Sequence, residues 1–241
     1  MTICEHLTDL LREWEKSQNH FPKNRIENAR WPIPFFGNPA NALVATVGVN
    51  PASGAFEAGR GWEDIKSESD WKRRLRDYFN HQTPPHKWFE PWRIGLELLG
   101  MSYEQATATH LDVSYRATTA MLRNPTTDRN EFRRMVERDV TWLFRLLPMC
   151  EKLRLLLVFG PILRSDGSIV NLAQFLREHA PHHGFTVSPH GDLKHTETRR
   201  VFFLHEADTP SEKCVTCRVV KNLYARRDEL RGLLAKADKM R

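Results

Sequence analysis

Residues 41–56 read Asn-Ala-Leu-Val-Ala-Thr-Val-Gly-Val-Asn-Pro-Ala-Ser-Gly-Ala-Phe. Leu43 to Val49 is a short apolar run rich in valine, with turn-forming residues on both sides. That is the pattern of a strand buried on both faces, as in a parallel sheet. Gly48 sits near its end, and Asn50-Pro51 stops it. Pro51 has no N–H to give a sheet and holds Asn50 out of the helical region. Ser53-Gly54 then lets the chain turn sharply. The outcome is a polar side chain, Asn50, at the carboxyl end of a central strand, where ligands bind in open α/β sheets. Asn50 is the first candidate site residue.

On the N-terminal side, Thr2 caps a helix to about Gln18, with Leu7, Leu10, Leu11 and Trp14 at three- and four-residue steps for packing on the sheet. Residues 19–41 form a proline-rich loop pinned by Trp31, Phe35 and Phe36. On the C-terminal side, a helix near Asp70 to Asn80, capped by Ser67 or Ser69, carries Lys72, Arg73, Arg74 and Arg76. Another helix covers Phe89 to Leu99 and stops at Gly100. Thr109 to Tyr115 reads as a second strand, and Asp128 to Leu147 as a long helix with Phe132, Val136, Val140, Leu143 and Leu147 on one stripe. Leu153 to Phe159 is the clearest strand, closed by Gly160-Pro161. Ser168 to His179 is helical. Gly184 to Val187 and Val201 to Leu204 are short strands, and Cys217 to Lys236 is a closing amphipathic helix. Strands alternating with helices imply one α/β domain over residues 1–241, with a mainly parallel central sheet and helices on both faces.

The chain has 241 residues, enough for a full core, and 40% of them are hydrophobic, so a folded protein is expected rather than a disordered one. Lysine and arginine total 36 against 30 acidic residues, a balance compatible with a polyanionic partner. No apolar run approaches the roughly 18 residues of a membrane span. Residues 1–18 lack the core of a signal peptide. The four cysteines are irregularly spaced, unlike a secreted disulfide framework, so a cytoplasmic, reducing compartment is expected.

Three strand ends carry polar residues that could converge: Asn50, Asp112 in Thr-His-Leu-Asp-Val-Ser-Tyr, and His205, which the apolar run Val-Phe-Phe-Leu delivers as its last residue, at a sheet edge beside a loop. A histidine there is either a structural group with satisfied hydrogen bonds or a functional one. Cys214-Val215-Thr216-Cys217 is open to three readings. It can supply half of a zinc site with His190, His195 or His205, form a redox pair at a helix start, or be two ordinary thiols.

Taken in order, these segments resemble the uracil-DNA glycosylase superfamily over roughly Leu43 to Ser211. Gly48-Val49-Asn50-Pro51 is similar to the Gly-hydrophobic-Asn-Pro motif of its mismatch-specific and single-strand-selective branches. Trp71-Lys72 resembles the Phe-Trp-Lys that follows in the mismatch-specific branch. The strand ending at Gly160 matches the one before the second motif, and Leu204-His205 falls where the family places His-Pro-Ser. The resemblance implies a three-layer α/β/α sandwich that excises a base from DNA as a monomer, without cofactor or metal. It implies that Asn50 positions water against the sugar carbon and that His205 donates a hydrogen bond to the departing base. It further implies that Gly48, Phe56 and Asp112 line the base site, with Phe56 stacking on the flipped base. A core phenylalanine under the turn is the alternative for Phe56. Lys72, Arg73, Lys213 and Arg218 would touch phosphates, the alternative being a solvated basic face.

The sequence also departs from that pattern. Ala52 follows Pro51 where the family has Gly, and Glu206-Ala207 follows His205 in place of Pro-Ser. Asp112 stands at the family's base-reading Asn. A carboxylate only accepts hydrogen bonds where an amide also donates, so Asp112 implies an amino-bearing base or a protonated acid. Three functions follow as expectations: a DNA glycosylase-like hydrolase, a catalytically degenerate binding protein of the same fold, and a metal or redox protein built on Cys214 and Cys217.

Overall fold

The computed structural model of the chain describes residues 2–17, 20–21, 31–51, 62, 65–80, 85–118, 127–206 and 223–239. Helix α1, Ile3–Ser17, buries Leu7, Leu10, Leu11 and Trp14. Its start is a reciprocal capping pair: Glu5 N–H donates to Thr2 Oγ1 at 3.3 Å, and Thr2 N–H donates to Glu5 Oε2 at 2.6 Å. A two-residue strand, β1 (Phe35–Phe36), precedes the valine-rich run, which forms β2, Val44–Gly48, with every residue buried. Helix α2, Glu68–Arg76, is capped by Ser67, whose hydroxyl accepts from Asp70 N–H. A 3₁₀ turn at Lys87–Phe89 leads into α3, Glu90–Leu98.

Strand β3 is Ala108–Asp112, shorter than the run that predicts it. Beyond Asp112 the backbone keeps following the end of β2, its neighbour in the sheet. Val113 N–H donates to Gly48 O at 3.0 Å and Ser114 N–H to Val49 O at 2.8 Å. Helix α4, Arg129–Leu146, starts at Asp128, whose carboxylate accepts from Glu131 N–H. Strand β4 is Leu155–Val158, and β5 (Pro161–Leu163) pairs with β6 (Ile169–Asn171) in a separate two-stranded sheet. Residues 169–171, expected to be helical, are therefore strand; helix α5 starts later, at Leu172, and runs to His179 with Asn171 as its cap. Strands β7 (Phe185–Val187), β8 (Leu193–His195) and β9 (Val201–Glu206) follow, then α6, Arg227–Lys239.

The main sheet has seven strands in the order β1-β3-β2-β4-β9-β8-β7. Its centre, β3-β2-β4-β9, is parallel, and the flanking pairs β1–β3, β8–β9 and β7–β8 are antiparallel. Buried valines and leucines fill β2 and β4, as a sheet covered on both faces requires. Thr46 pairs in register with His110 and Leu157, and Leu157 pairs with His205. Side chains alternate along a strand, so these four residues share one face, together with Gly48 and its register partner Asp112. Among the described residues, no helix is long and apolar enough to cross a membrane.

Candidate functional site

The chain leaves β2 to one side, reaching β3, and then crosses back to the other side to form β4. The carboxyl ends of β2 and β4 therefore flank a topological switch point, where open α/β sheets leave a crevice. Gly48, Asn50 and Gly160 lie at those ends.

Gly48 is required there by close approach. A Cβ at this position would lie 3.1 Å from Asp112 Oδ1, 3.2 Å from His110 Cε1 and 3.2 Å from Phe159 Cζ. Three side chains thus close over one bare backbone position. The rings of Trp88 and Phe89 lie 5.0 and 5.3 Å from His110, and those of Trp88 and Trp92 lie 5.1 and 4.8 Å from Phe159. The 3₁₀ turn and α3 supply this aromatic wall.

Asp112 is buried, and its Oδ1 lies 3.4 Å from His110 Nε2. Burial pushes its carboxyl above the ordinary carboxylate range, with His110 pulling the other way. Its Oδ2 is buried and has no hydrogen-bond partner among the described residues. Behind it runs a buried polar chain: His110 Nδ1 is 2.9 Å from Thr46 Oγ1, which is 2.6 Å from the Tyr103 hydroxyl. Burial raises the Tyr103 phenol, which keeps its proton. Thr46 Oγ1 also lies 3.5 Å from Thr109 O, so its hydroxyl can donate either to His110 Nδ1 or to that carbonyl, and the His110 tautomer follows from which it does.

Asn50 is half-buried beyond the end of β2. Its Nδ2 donates to Thr118 Oγ1 at 3.1 Å and to Pro51 O at 3.2 Å. Both amide hydrogens are used, and among the described residues no donor reaches Oδ1. The segment that carries Thr118 is anchored by a buried ion pair. Arg116 Nε donates to Asp139 Oδ2 at 3.1 Å, and the same guanidinium donates to Ser17 Oγ and to the Tyr115 hydroxyl. Ser114 Oγ also donates to Asp139, at 2.6 Å. Burial pushes the Asp139 carboxyl up to about 6, against the pull of Arg116.

His205 does not end its strand or lie at a sheet edge, as the sequence suggests. Strand β9 continues through Glu206 and lies between β4 and β8. His205 is buried, and its Nδ1 accepts from Arg226 Nη1 at 2.9 Å. A guanidinium only donates, so the ring proton rests on Nε2. Glu229 holds Arg226 through two hydrogen bonds, of 2.6 and 2.8 Å. In register His205 lies two strands from Thr46, about 10 Å by strand spacing, and Asn50 lies four residues beyond Thr46. No described contact joins His205 to Asn50.

The cations of α2 are already engaged. Lys72 pairs with Glu68 at 2.7 Å and Arg73 with Asp70 at 2.8 Å, so phosphate contact would mean exchanging a carboxylate. Phe56, Lys213, Arg218, Cys214 and Cys217 lie outside the described residues. Among the described residues, no three His, Cys, Asp or Glu side chains group closely enough to hold a metal ion. Thr46, His110 and Tyr103 were not among the sequence candidates. The signal was present for His110, which stands two residues before Asp112 and hence on the same strand face. No family model matches the chain, and no curated protein does either.

Proposed function

We propose that the chain is a DNA glycosylase-like hydrolase of three-layer α/β/α architecture that excises uracil or a related deaminated base from DNA. One observation carries this reading. At two neighbouring strand ends stand a carboxamide, Asn50, and a buried carboxyl, Asp112, each with one oxygen that no donor reaches among the described residues. The first suits a water and the second suits the polar edge of a base.

The chemistry asks little more of the chain. Breaking the glycosidic bond leaves positive charge on the sugar and negative charge on the base. Asn50 Oδ1 accepts a hydrogen from the attacking water and fixes its position, its own amide being locked by Thr118 and Pro51 O. A neutral amide orients water but is a poor base, so the reaction relies on a good leaving group such as uracil. The nucleotide must first leave the stack, which damaged or mismatched bases do at least cost. His205 lies three strands from Asp112, about 14 Å by strand spacing, too far to meet the departing oxygen of a base whose polar edge lies at Asp112, so this reading rests on Asn50 and Asp112.

The test is abasic-site formation on single- and double-stranded oligonucleotides carrying uracil, hypoxanthine or xanthine. Wild type is expected to act on at least one of them, and Asn50→Ala to lose about 100-fold in rate, the scale of a mispositioned reactant. Wild type and variant equally inert on all three would end the catalytic reading. A second reading has its own support. His205 is buried within β9 and engaged by Arg226, and Glu206-Ala207 follows it. This favours a protein that binds a flipped base or nucleotide without cleaving it, with salt-dependent affinity and no abasic product.

A further inference from the structure

We propose that Trp88 and Phe159 form the wall on which the extruded base stacks, so that the site holds the base by its face as well as by its polar edge at Asp112. The inference rests on the base-excision reading and adds to it two residues that recognise the ring itself.

Aromatic rings surround His110: Phe36, Trp88, Phe89 and Phe159. Phe36, Phe89 and the adjoining Trp92 are buried, whereas Trp88 and Phe159 are only partly so. The two that reach the surface are neighbours, with ring centroids 5.1 Å apart and planes inclined by 38°. A base cannot enter between them, since it needs a contact distance of about 3.5 Å on each side, so they present one wall. Buried rings brace that wall from behind. Trp92 lies 4.8 Å from Phe159 and 6.1 Å from Trp88, and Phe89 lies 5.0 Å from Trp88. Rings held in this way have little rotamer freedom left to lose on binding.

The wall stands beside the candidate site. Phe159 continues β4 along β2, its N–H donating to Val47 O at 3.2 Å. It comes two residues after Leu157 and so shares the sheet face of Thr46, His110, Gly48 and Asp112. Phe159 Cζ and Asp112 Oδ1 lie 3.2 and 3.1 Å from one point, the place of a Cβ on Gly48, so ring and carboxyl are close neighbours. Asp112 Oδ2 is buried without a partner among the described residues. A flat ring whose polar edge meets that oxygen can lay its face on the two exposed aromatics. Stacking of this kind is indifferent to base identity, since every base has a π-face. The wall therefore supplies affinity, and choice between bases falls to Asp112. An abasic product has no attached ring to stack, so the wall also favours substrate strand over product strand.

The test measures affinity for a single-stranded oligonucleotide with one central deoxyuridine, carrying a 2′-fluorine that slows cleavage, and for the same strand with a tetrahydrofuran abasic analogue at that position. The ratio of the two affinities isolates what the base contributes. Wild type is expected to favour the strand that carries the base. Trp88→Leu and Phe159→Leu keep apolar bulk without an aromatic face. Each should lose about tenfold of the ratio, within the range of one stacked base, with affinity for the abasic strand unchanged. Trp88→Phe and Phe159→Tyr should keep most of it. Leucine variants with the wild-type ratio, or a loss found only in Phe56→Ala, overturn the inference while leaving base excision standing. An equal loss on both strands marks a structural role and overturns it too. Should a leucine variant not fold, ultraviolet crosslinking of the deoxyuridine strand to wild type decides the matter: an adduct at Trp88 or Phe159 supports the wall, and adducts confined to other residues overturn it. If wild type binds the two strands equally, the base-excision reading and this inference fall together.

Discussion

Gly48 carries more of the site than its size suggests. Asp112, His110 and Phe159 each come within van der Waals contact of the place its Cβ would occupy. His110 and Phe159 are packed among aromatic rings and Asp112 is buried against His110, so each must give by a few tenths of an ångström to admit a methyl group. Gly48→Ala should destabilise the fold by about 1–3 kcal/mol, the range of an overpacked core, and should displace the Asp112 carboxyl. Urea denaturation measures the first effect, and a stability equal to wild type would show that the contacts are looser than the geometry states. At this scale the sequence was readable where chain breakers mark a strand end, as Asn50-Pro51 does. It was less readable where chemistry lies inside a strand. Thr46 and His110 sit among buried apolar residues, and their hydrogen bonding depends on Tyr103, which reaches them from a separate segment. Only the pairing of β2 with β3 makes Thr46 and His110 neighbours.

Among the elements, the segment after β3 links the site to the rest of the protein. Residues 113–118 lie along the end of β2, orient Asn50 through Thr118, and are held from behind by Arg116 on Asp139 of α4 and Ser17 of α1. Removing one partner of a buried pair leaves an uncompensated charge. Asp139→Asn should therefore cost about 3–5 kcal/mol, seen as a lowered denaturation midpoint. A loss near zero would mean that Arg116 reaches water in the native state. Elements with strong periodicity or caps were legible: α1, α4, β2 and β4 lie within a few residues of their expected bounds. Those that depend on a neighbour were not. β1 is two residues long and exists because β3 offers an edge, while β8 is the polar Leu193-Lys194-His195 that pairs only because β7 and β9 enclose it.

For the whole molecule, alternation of strands and helices led to an α/β fold with a parallel centre, and the sheet has one. The order β3-β2-β4-β9, which places the crevice beside β2, could not be read from local pattern, since several orders satisfy the same alternation. The same limit applies to the site. Adjacent pairing unites Gly48 and Asp112, whereas His205 is set two strands from β2 with its own partner, Arg226. The central claim is that an extruded base is received at the carboxyl ends of β2 and β3, with its polar edge at Asp112. The most direct test is a crystal structure of Asn50→Ala with a deoxyuridine-containing oligonucleotide. The account predicts the uracil ring beside Gly48, with its polar edge within hydrogen-bond distance of Asp112. A base bound on the opposite face of the sheet, or away from the switch point between β2 and β4, would contradict it.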